Sequence, residues 1–388
     1  MNLLRPRAVG SVLPIVLAAV VACTPVSPGP SPSISSAARP SASVASTAPR
    51  SVSGSAVNGA WQRTWPGGAD RRRALTAIVA IDGGFVVTGS DRVSKAPAAM
   101  SSADGISWAD DTIGGENIDP SVLAAWGDRA VAVGAGQVPC AHPYGLDSWV
   151  RSGGGVWAEA PFDDLFCRGS DVRLGFVAGR PILVGSGPGD AAVVWSSVDG
   201  LRWVDHSQAF VGLMPRAVTG DGRTAMLFAV GPTGTWVSTT TDGATWSAPA
   251  MIPGLPVDLV IHGAFWIDGA PTLIVSAGDV VDSIRPDDGG AWRRATAEGL
   301  TADELRGVTA FDGGLLAVSG ENGIEALVSR DGMSWHPIEL PHDLGGEDAS
   351  VAGLAVGGAR AVLIGSLTDA VGSSVGAIWT GPDSLVAP

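Results

Sequence analysis

A tight polar turn that runs into a tryptophan recurs six times along this 388-residue chain. Four copies read Ser/Thr-x-Asp-Gly-x-x-Trp, and two degenerate copies lie in phase with them. The copies end at Trp108, Trp157, Trp203, Trp246, Trp292 and Trp335, so the repeat is 43 to 49 residues long. A period of this length is typical of an array of small sheets, because one such unit cannot bury its own apolar face.

The first full repeat contains four strand patterns separated by turns. Residues 75–81 and 85–88 are apolar runs on either side of the Asp82-Gly83-Gly84 turn. Residues 97–101 and 107–112 flank the next turn, Asp104-Gly105. Four antiparallel strands in about 45 residues are the unit of a propeller blade. First strands begin near seven positions, which predicts an all-β, seven-bladed β-propeller: residues 75, 121, 172, 216, 258, 305 and 351.

The last repeat lacks a fourth strand. Its third strand ends near Asp383, where other repeats continue to a tryptophan. Residues 61–65 precede the first repeat and resemble a fourth strand. We therefore predict that this N-terminal strand completes the last blade, which removes the open sheet edges of an unclosed array.

The chemistry of the repeated turn predicts a structural role. An Asp carboxylate can accept hydrogen bonds from the N–H groups of its own turn, while Gly adopts a positive φ. The tryptophan then buries a large apolar area between neighbouring sheets. Catalytic or calcium-binding roles for these carboxylates are disfavoured by their regular recurrence. The four clear turns contain Asp104 with Trp108, Asp199 with Trp203, Asp242 with Trp246, and Asp331 with Trp335.

The N-terminal segment has the pattern of an exported lipoprotein. Residues 1–22 combine a basic start with an apolar stretch that ends in small residues before Cys23. Cys23 is the predicted lipidation site, and an ordinary secretory signal that contains a cysteine is the alternative. Residues 23–57 are rich in Pro, Ser and Ala and predict a flexible tether. The propeller then occupies residues 58–388, held on the outer face of the bacterial cell membrane by its lipid.

Charge and cysteine content restrict the partners and cofactors. The formal net charge of −14 disfavours nucleic acid, because an acidic surface repels phosphate. Cys140 and Cys167 lie in one repeat and predict a disulfide in an exported protein. A metal site of Cys140, His142 and Cys167 is the alternative, but it lacks a fourth ligand. We expect no metal, no cofactor and a monomer.

The repeated turns resemble those of the Asp-box, or bacterial neuraminidase repeat, propellers. The motif here is one residue shorter than the common Ser-x-Asp-x-Gly-x-Thr-Trp form. The resemblance covers residues 61–388 and implies a propeller of the sialidase-like kind. It is weak for function, because sialidases, xyloglucan-degrading enzymes, sortilin-type receptors and a photosystem assembly factor share these turns.

A sialidase would require further residues that the sequence does not offer. The resemblance implies three substrate-binding arginines, a tyrosine nucleophile with a glutamate partner, and an acidic aspartate. The single tyrosine, Tyr144, lies in the second repeat rather than late in the ring. We therefore expect a propeller without the sialidase reaction.

Longer loops between blades and between second and third strands would share one face. Five residues there form the candidate binding face: Arg73, Tyr144, Arg173, Arg216 and Arg306. We expect a binding or scaffolding module for a protein or glycan partner, without catalysis. Two alternatives remain open. One is a glycoside hydrolase that pairs Asp110 or Asp111 with Asp163 or Glu304, and the other is an envelope complex assembly factor.

Overall fold

A computed structural model describes residues 61–65, 73–116, 118–136, 140, 145–169, 171–287, 290–303, 305, 307–311, 314–319, 325–341, 350–368 and 374–386. These residues form 28 β-strands and a few short 3-10 turns. Within the described ranges, no helix has the length and apolar character that crossing a membrane requires.

The strands form seven four-stranded antiparallel sheets, numbered here as blades in chain order. Blade 1 consists of β2 (Arg73–Ile81), β3 (Gly84–Asp91), β4 (Pro97–Ser102) and β5 (Ala109–Asp111). Blade 2 consists of β6 (Ile118–Trp126), β7 (Arg129–Gly136), β8 (Gly145–Ser152) and β9 (Val156–Glu159). Blade 3 consists of β10 (Asp171–Val177), β11 (Arg180–Ser186), β12 (Ala192–Ser197) and β13 (Trp203–Asp205).

Blades 4 to 6 follow the same order. Blade 4 consists of β14 (Met214–Gly220), β15 (Ala225–Gly231), β16 (Gly234–Thr240) and β17 (Ala250–Met251). Blade 5 consists of β18 (Val260–Ile267), β19 (Ala270–Ala277), β20 (Val280–Pro286) and β21 (Trp292–Thr301). Blade 6 consists of β22 (Gly307–Phe311), β23 (Gly314–Ser319), β24 (Glu325–Ser329) and β25 (His336–Ile338).

Blade 7 combines the two ends of the described chain. Its strands are β26 (Ser350–Gly357), β27 (Arg360–Thr368), β28 (Ser374–Pro382) and β1 (Gln62–Trp65), in that order. In the closing pair, Gln62 lies opposite Thr380 and Arg63 lies opposite Trp379. The predicted seven-bladed propeller, closed by the N-terminal strand, is confirmed.

Burial changes across each blade from the second strand to the outer one. The second strand β11 is buried at every residue from Pro181 to Ser186, and it reads as a continuous apolar run ending in small residues. The outer strand β13 is exposed at Val204 and Asp205. The outer strand of blade 1 begins at Ala109 rather than at the predicted Ser107. The reason is that the N–H of Ser107 is donated to the Asp104 carboxylate and belongs to the turn.

Seven apolar clusters hold the ring together, and each lies between two neighbouring blades. Every cluster includes or touches one tryptophan that lies at or near the start of an outer strand. The clusters take, in order around the ring from the blade 7–blade 1 contact, Trp108, Trp157, Trp203, Trp246, Trp292, Trp335 and Trp61. Trp61 is thus the seventh member of the repeat, and its Nε1 donates to the Glu339 carbonyl at 2.8 Å.

The two faces of the propeller differ in their connections. The turn face bears the tight turns between first and second strands and the four Asp-Gly turns. The loop face bears the links between blades and the loops between second and third strands. Because all first strands run in the same direction across their blades, their first residues surround the centre of the loop face.

Candidate functional site

A cleft of about 480 Å³ opens on the loop face across blades 3, 4 and 5. This loop-face cleft is formed where the first strands of these three blades begin. Its polar lining includes Asp171, Arg173, Arg216 and Asp258, and Met214, Val257 and Val260 contribute apolar surface. The volume falls in the range of small-ligand sites in proteins, about 300–1,000 Å³.

Two predicted binding residues, Arg173 and Arg216, meet in this cleft around one carboxylate. Arg173 Nη1 donates to Asp171 Oδ1 at 2.7 Å, and Arg216 Nη1 lies 3.7 Å from Asp171 Oδ2. The side chains are 56% exposed for Arg173 and Asp171 and 34% exposed for Arg216. A pair this exposed adds little stability.

A β-bulge directs Arg216 toward the cleft. Pro215 pairs with Ala229 and Ala217 pairs with Phe228, so Arg216 is the extra residue on its strand. A bulge changes the direction of a side chain without ending the sheet. Arg216 Nη2 also lies 3.6 Å from the sulfur of Met214.

Gly185 allows the Asp171 backbone to reach its position. A Cβ at Gly185 would lie only 1.9 Å from the Asp171 carbonyl oxygen, so a side chain there would push the two strands apart. Glycine is therefore required for this close approach of β10 and β11. The same contact recurs in blade 1 between Gly89 and Ala74.

Arg73 lies on the loop face but is held within its own blade. Arg73 Nη2 donates to Asp110 Oδ2 at 3.0 Å, and the Arg73 side chain is only 16% exposed. The hydrogen bond from Arg73 lowers the pKa of Asp110, against the opposing effect of burial. Arg73 is thus engaged elsewhere, while predicted residues Arg306 and Tyr144 lie outside the described residues.

Two of the acids considered for a glycoside hydrolase, Asp111 and Asp163, are held by local hydrogen bonds. Asp111 is 2% exposed and receives hydrogen bonds from Arg151 Nε at 2.7 Å and Trp157 Nε1 at 3.2 Å. It therefore holds blades 1 and 2 together and is not a rim residue. Asp163 accepts from the N–H of Leu165 at the start of a 3-10 turn. Glu304 lies outside the described residues.

The four Asp-Gly turns lie on the turn face, away from the cleft. Asp331 Oδ1 accepts from the N–H groups of Met333 and Ser334 at 2.8 and 2.9 Å, and from the Ser329 hydroxyl at 3.0 Å. Asp104, Asp199 and Asp242 make the same three contacts in their own turns. These hydrogen bonds lower the pKa of all four carboxyls even where burial opposes them.

Each turn also packs on the preceding blade. Gly200 lies against Val150 and Val131 of blade 2, and Ser148 donates its hydroxyl to the Gly200 carbonyl at 3.2 Å. Arg285 of blade 5 donates to the Asp331 carbonyl at 3.0 Å. The carboxylates are therefore occupied within a structural contact between blades.

A disulfide joins Cys140 and Cys167, with a Cα–Cα distance of 5.5 Å. It ties the segment before β8 to the 3-10 turn at Asp164–Arg168. Because each sulfur is bonded to the other, neither is a thiolate ligand, and the alternative metal site is wrong. His142 lies outside the described residues, and the described part of the chain contains no group of three metal-ligating side chains.

The centre of the ring is a separate space of about 610 Å³ lined by all seven first strands. The described residues that line it are apolar or small, apart from Thr219 and Thr309, and none is charged. Specific recognition of a polar partner needs directed donors and acceptors. The loop-face cleft offers them, and the central space offers far fewer.

Sequence reasoning missed Asp171, Asp258 and Val257 as members of the cleft. One signal was available for the arginines: Arg173 and Arg216 are each the third residue of a first strand, in consecutive blades. Equivalent positions in adjacent repeats become neighbours in a ring. No comparable pattern marks Asp171, whose role depends on the distance between two blades.

Comparisons with known proteins bear on the fold alone. No protein-family model and no curated protein matches the sequence. Among solved structures, a catalytically inactive virginiamycin B lyase from Staphylococcus aureus with quinupristin aligns at a TM-score of 0.54 and 13% identity, over 83% of this chain and 98% of the lyase. The chain is a β-propeller. A prolyl endopeptidase aligns at 0.50 and 10% identity, over 80% of this chain.

The Trypanosoma rangeli sialidase solved with sialic acid aligns at a TM-score of 0.46 and 10% identity, over 80% of this chain. The propeller spans about half the length of the endopeptidase and of the sialidase, at 50% and 54% of those chains. The lyase and the endopeptidase share this fold, and at such low identity their activities do not transfer to this chain.

Proposed function

We propose that the chain is a surface-tethered propeller that binds a protein or glycan partner at the loop-face cleft and performs no chemistry on it. The observation that carries this proposal is the pair Arg173 and Arg216, displayed in a cleft with exposed apolar residues beside them. A loop-bearing face on a rigid scaffold is a common place for binding sites.

The arrangement supports binding better than hydrolysis. A glycosidase needs two carboxyl groups that flank one bond. In the cleft, Asp171 is bound to Arg173, and Asp258 is the only other carboxyl among its described lining residues. In this proposal the tether and a lipid on Cys23 hold the cleft outside the cell membrane, where envelope and external partners are accessible.

The test is capture of a partner from envelope extracts, together with a glycan array, using the full chain. We expect Arg216→Ala to abolish capture and Arg223→Ala, on the turn face, to leave it unchanged. Both variants should melt like the wild type, because Arg216 and Arg223 are partly or fully exposed. Equal capture by the two variants would exclude the loop-face cleft as the binding site.

A further inference from the structure

The loop-face cleft has the chemistry of a receptor for a free carboxylate attached to an apolar group. We propose that its ligand is the C-terminal end of a peptide whose last side chain is apolar. This inference rests on the proposed function and specifies the partner class. It is carried by three features of the cleft: an internal carboxylate, unused guanidinium donors and an apolar lining.

The Asp171 carboxylate lies between the two guanidinium groups. Its Oδ1 accepts from Arg173 and its Oδ2 faces Arg216, at 2.7 and 3.7 Å. The second distance is too long for a hydrogen bond, so Asp171 is hydrogen-bonded to one donor atom of Arg173 and only ion-paired with Arg216. A ligand carboxylate that is free to move can approach both arginines more closely.

Most donors of the two arginines are available to such a ligand. Arg173 uses Nη1 for Asp171 and for the Val172 carbonyl at 2.9 Å. Among the described residues, nothing accepts from its Nε or Nη2 or from the Nε of Arg216. Guanidinium groups bind carboxylates through two parallel N–H donors, and such charge-assisted pairs are the stronger class of hydrogen bond.

The apolar lining favours a peptide end over an acidic sugar. Val257 and Val260 are 59% and 55% exposed, and both line the cleft together with Met214. An aliphatic side chain next to the carboxylate would cover these residues and remove their surface from water. The hydroxyl groups of a sugar would instead lose hydrogen bonds to water against the valines.

Asp171 competes with the ligand for the arginines, which makes an unusual prediction. Asp171→Asn keeps the size of the side chain and an acceptor oxygen but removes its charge, so its hold on both arginines weakens. We expect tighter binding by several-fold in this variant. A residue with a purely structural role would give weaker binding or none when it is changed.

The experiment is calorimetric titration of the full chain with acetyl-Ala-Ala-Leu, as the free acid and as the C-terminal amide. The free acid should bind at least about tenfold more tightly than the amide. Arg173→Ala and Arg216→Ala should each remove that preference, Asp171→Asn should strengthen it, and Arg223→Ala should leave it intact. Melting curves of each variant exclude unfolding as the cause.

Three results would overturn the inference: equal binding of acid and amide, no change in the arginine variants, or weaker binding in Asp171→Asn. A glucuronic acid titration provides the remaining comparison, and tighter binding of glucuronate than of the peptide acid would assign the cleft to acidic sugars instead. If the peptides fail while loop-face capture of an envelope partner persists, the proposed function stands and this inference alone is wrong.

Discussion

At the residue scale, Asp331 and Trp335 stabilise the same contact between blades in different ways. Asp331 accepts two N–H donors of its turn, and Trp335 is 7% exposed in the cluster between blades 5 and 6. The carboxylate shapes the turn, and the indole fills the space that the turn covers.

Substitution of either residue should lower the free energy of unfolding, and the loss should be larger for Trp335. Asp331→Ala leaves turn donors without their acceptor and should cost about 1–3 kcal/mol. Trp335→Ala leaves a cavity and should cost roughly 3–5 kcal/mol. Chemical denaturation measures both, and neither change should alter binding at the loop-face cleft while the protein is folded. Loss of binding by folded Asp331→Ala would contradict the structural role.

Asp147 is a buried carboxyl that gives the stability of the protein a pH dependence. Burial raises its pKa to about 7 from the ordinary 3.8, and the neighbouring Glu159 carboxylate adds to this, while the Ser148 N–H opposes it. The folded state therefore binds a proton more tightly than the unfolded chain does. This stabilisation is fully present below about pH 4 and is lost as the pH rises to about 7.

The Asp147→Asn variant tests this dependence. Asparagine keeps the acceptor for Ser148 and carries no charge, so the variant should be more stable than the wild type at pH 8. The gain should shrink toward pH 4. Glu159→Gln is the matched control. It removes the charge that helps to raise the pKa of Asp147, so the loss of stability should occur at a lower pH than in the wild type. A constant difference between Asp147→Asn and wild type from pH 4 to pH 8 would exclude this role for Asp147.

At the scale of secondary-structure elements, β1 contributes both a strand and a tryptophan to blade 7. Its residues pair with β28, and Trp61 packs in the cluster between blades 6 and 7. Removing this strand uncovers an edge and an apolar surface together.

Deletion of residues 61–65 should therefore lower the melting temperature strongly or cause aggregation. Deletion of residues 24–53 is the control, because their composition predicts a flexible tether, and it should leave melting nearly unchanged. Thermal melting followed by light scattering distinguishes the two. Similar melting of both deletions would show that β1 is dispensable for closure.

The sequence predicts the elements well and the loop-face cleft only in part. The turn period indicates the blade unit, the seven first-strand starts predict seven blades, and the missing fourth strand of the last repeat predicts closure by residues 61–65. Arg173 and Arg216 lie on the loop face because each is the third residue of a first strand. Their shared partner Asp171, the bulge at Arg216 and the close approach at Gly185 depend on offsets between strands of a few ångströms, which a period does not encode.

At the scale of the whole molecule, the predicted anchor decides where the cleft is displayed. Cys23 and the tether of residues 23–57 lie outside the described residues, so the lipoprotein assignment remains a prediction from the sequence. Its physical basis is that two acyl chains are sufficient for stable membrane attachment, whereas one is not.

The Cys23→Ala substitution tests this anchor directly. We expect the variant to leave the membrane fraction and to accumulate in the medium or as an unprocessed precursor. Fractionation followed by mass measurement of the N-terminus distinguishes these forms from the acylated protein. Unchanged partitioning into membranes would exclude lipidation at Cys23.

The pairing of β1 with β28 also sets a sequence of events during biosynthesis. Gln62 leaves the ribosome long before its partner Thr380, so the earliest strand must wait for the last. Until then blades 1 to 6 are an open arc whose two ends expose apolar clusters. A chain that is cut short before β28 never passes this stage and stays vulnerable to proteases. Blade 7 is therefore complete only once β28 has been synthesised and has paired with β1.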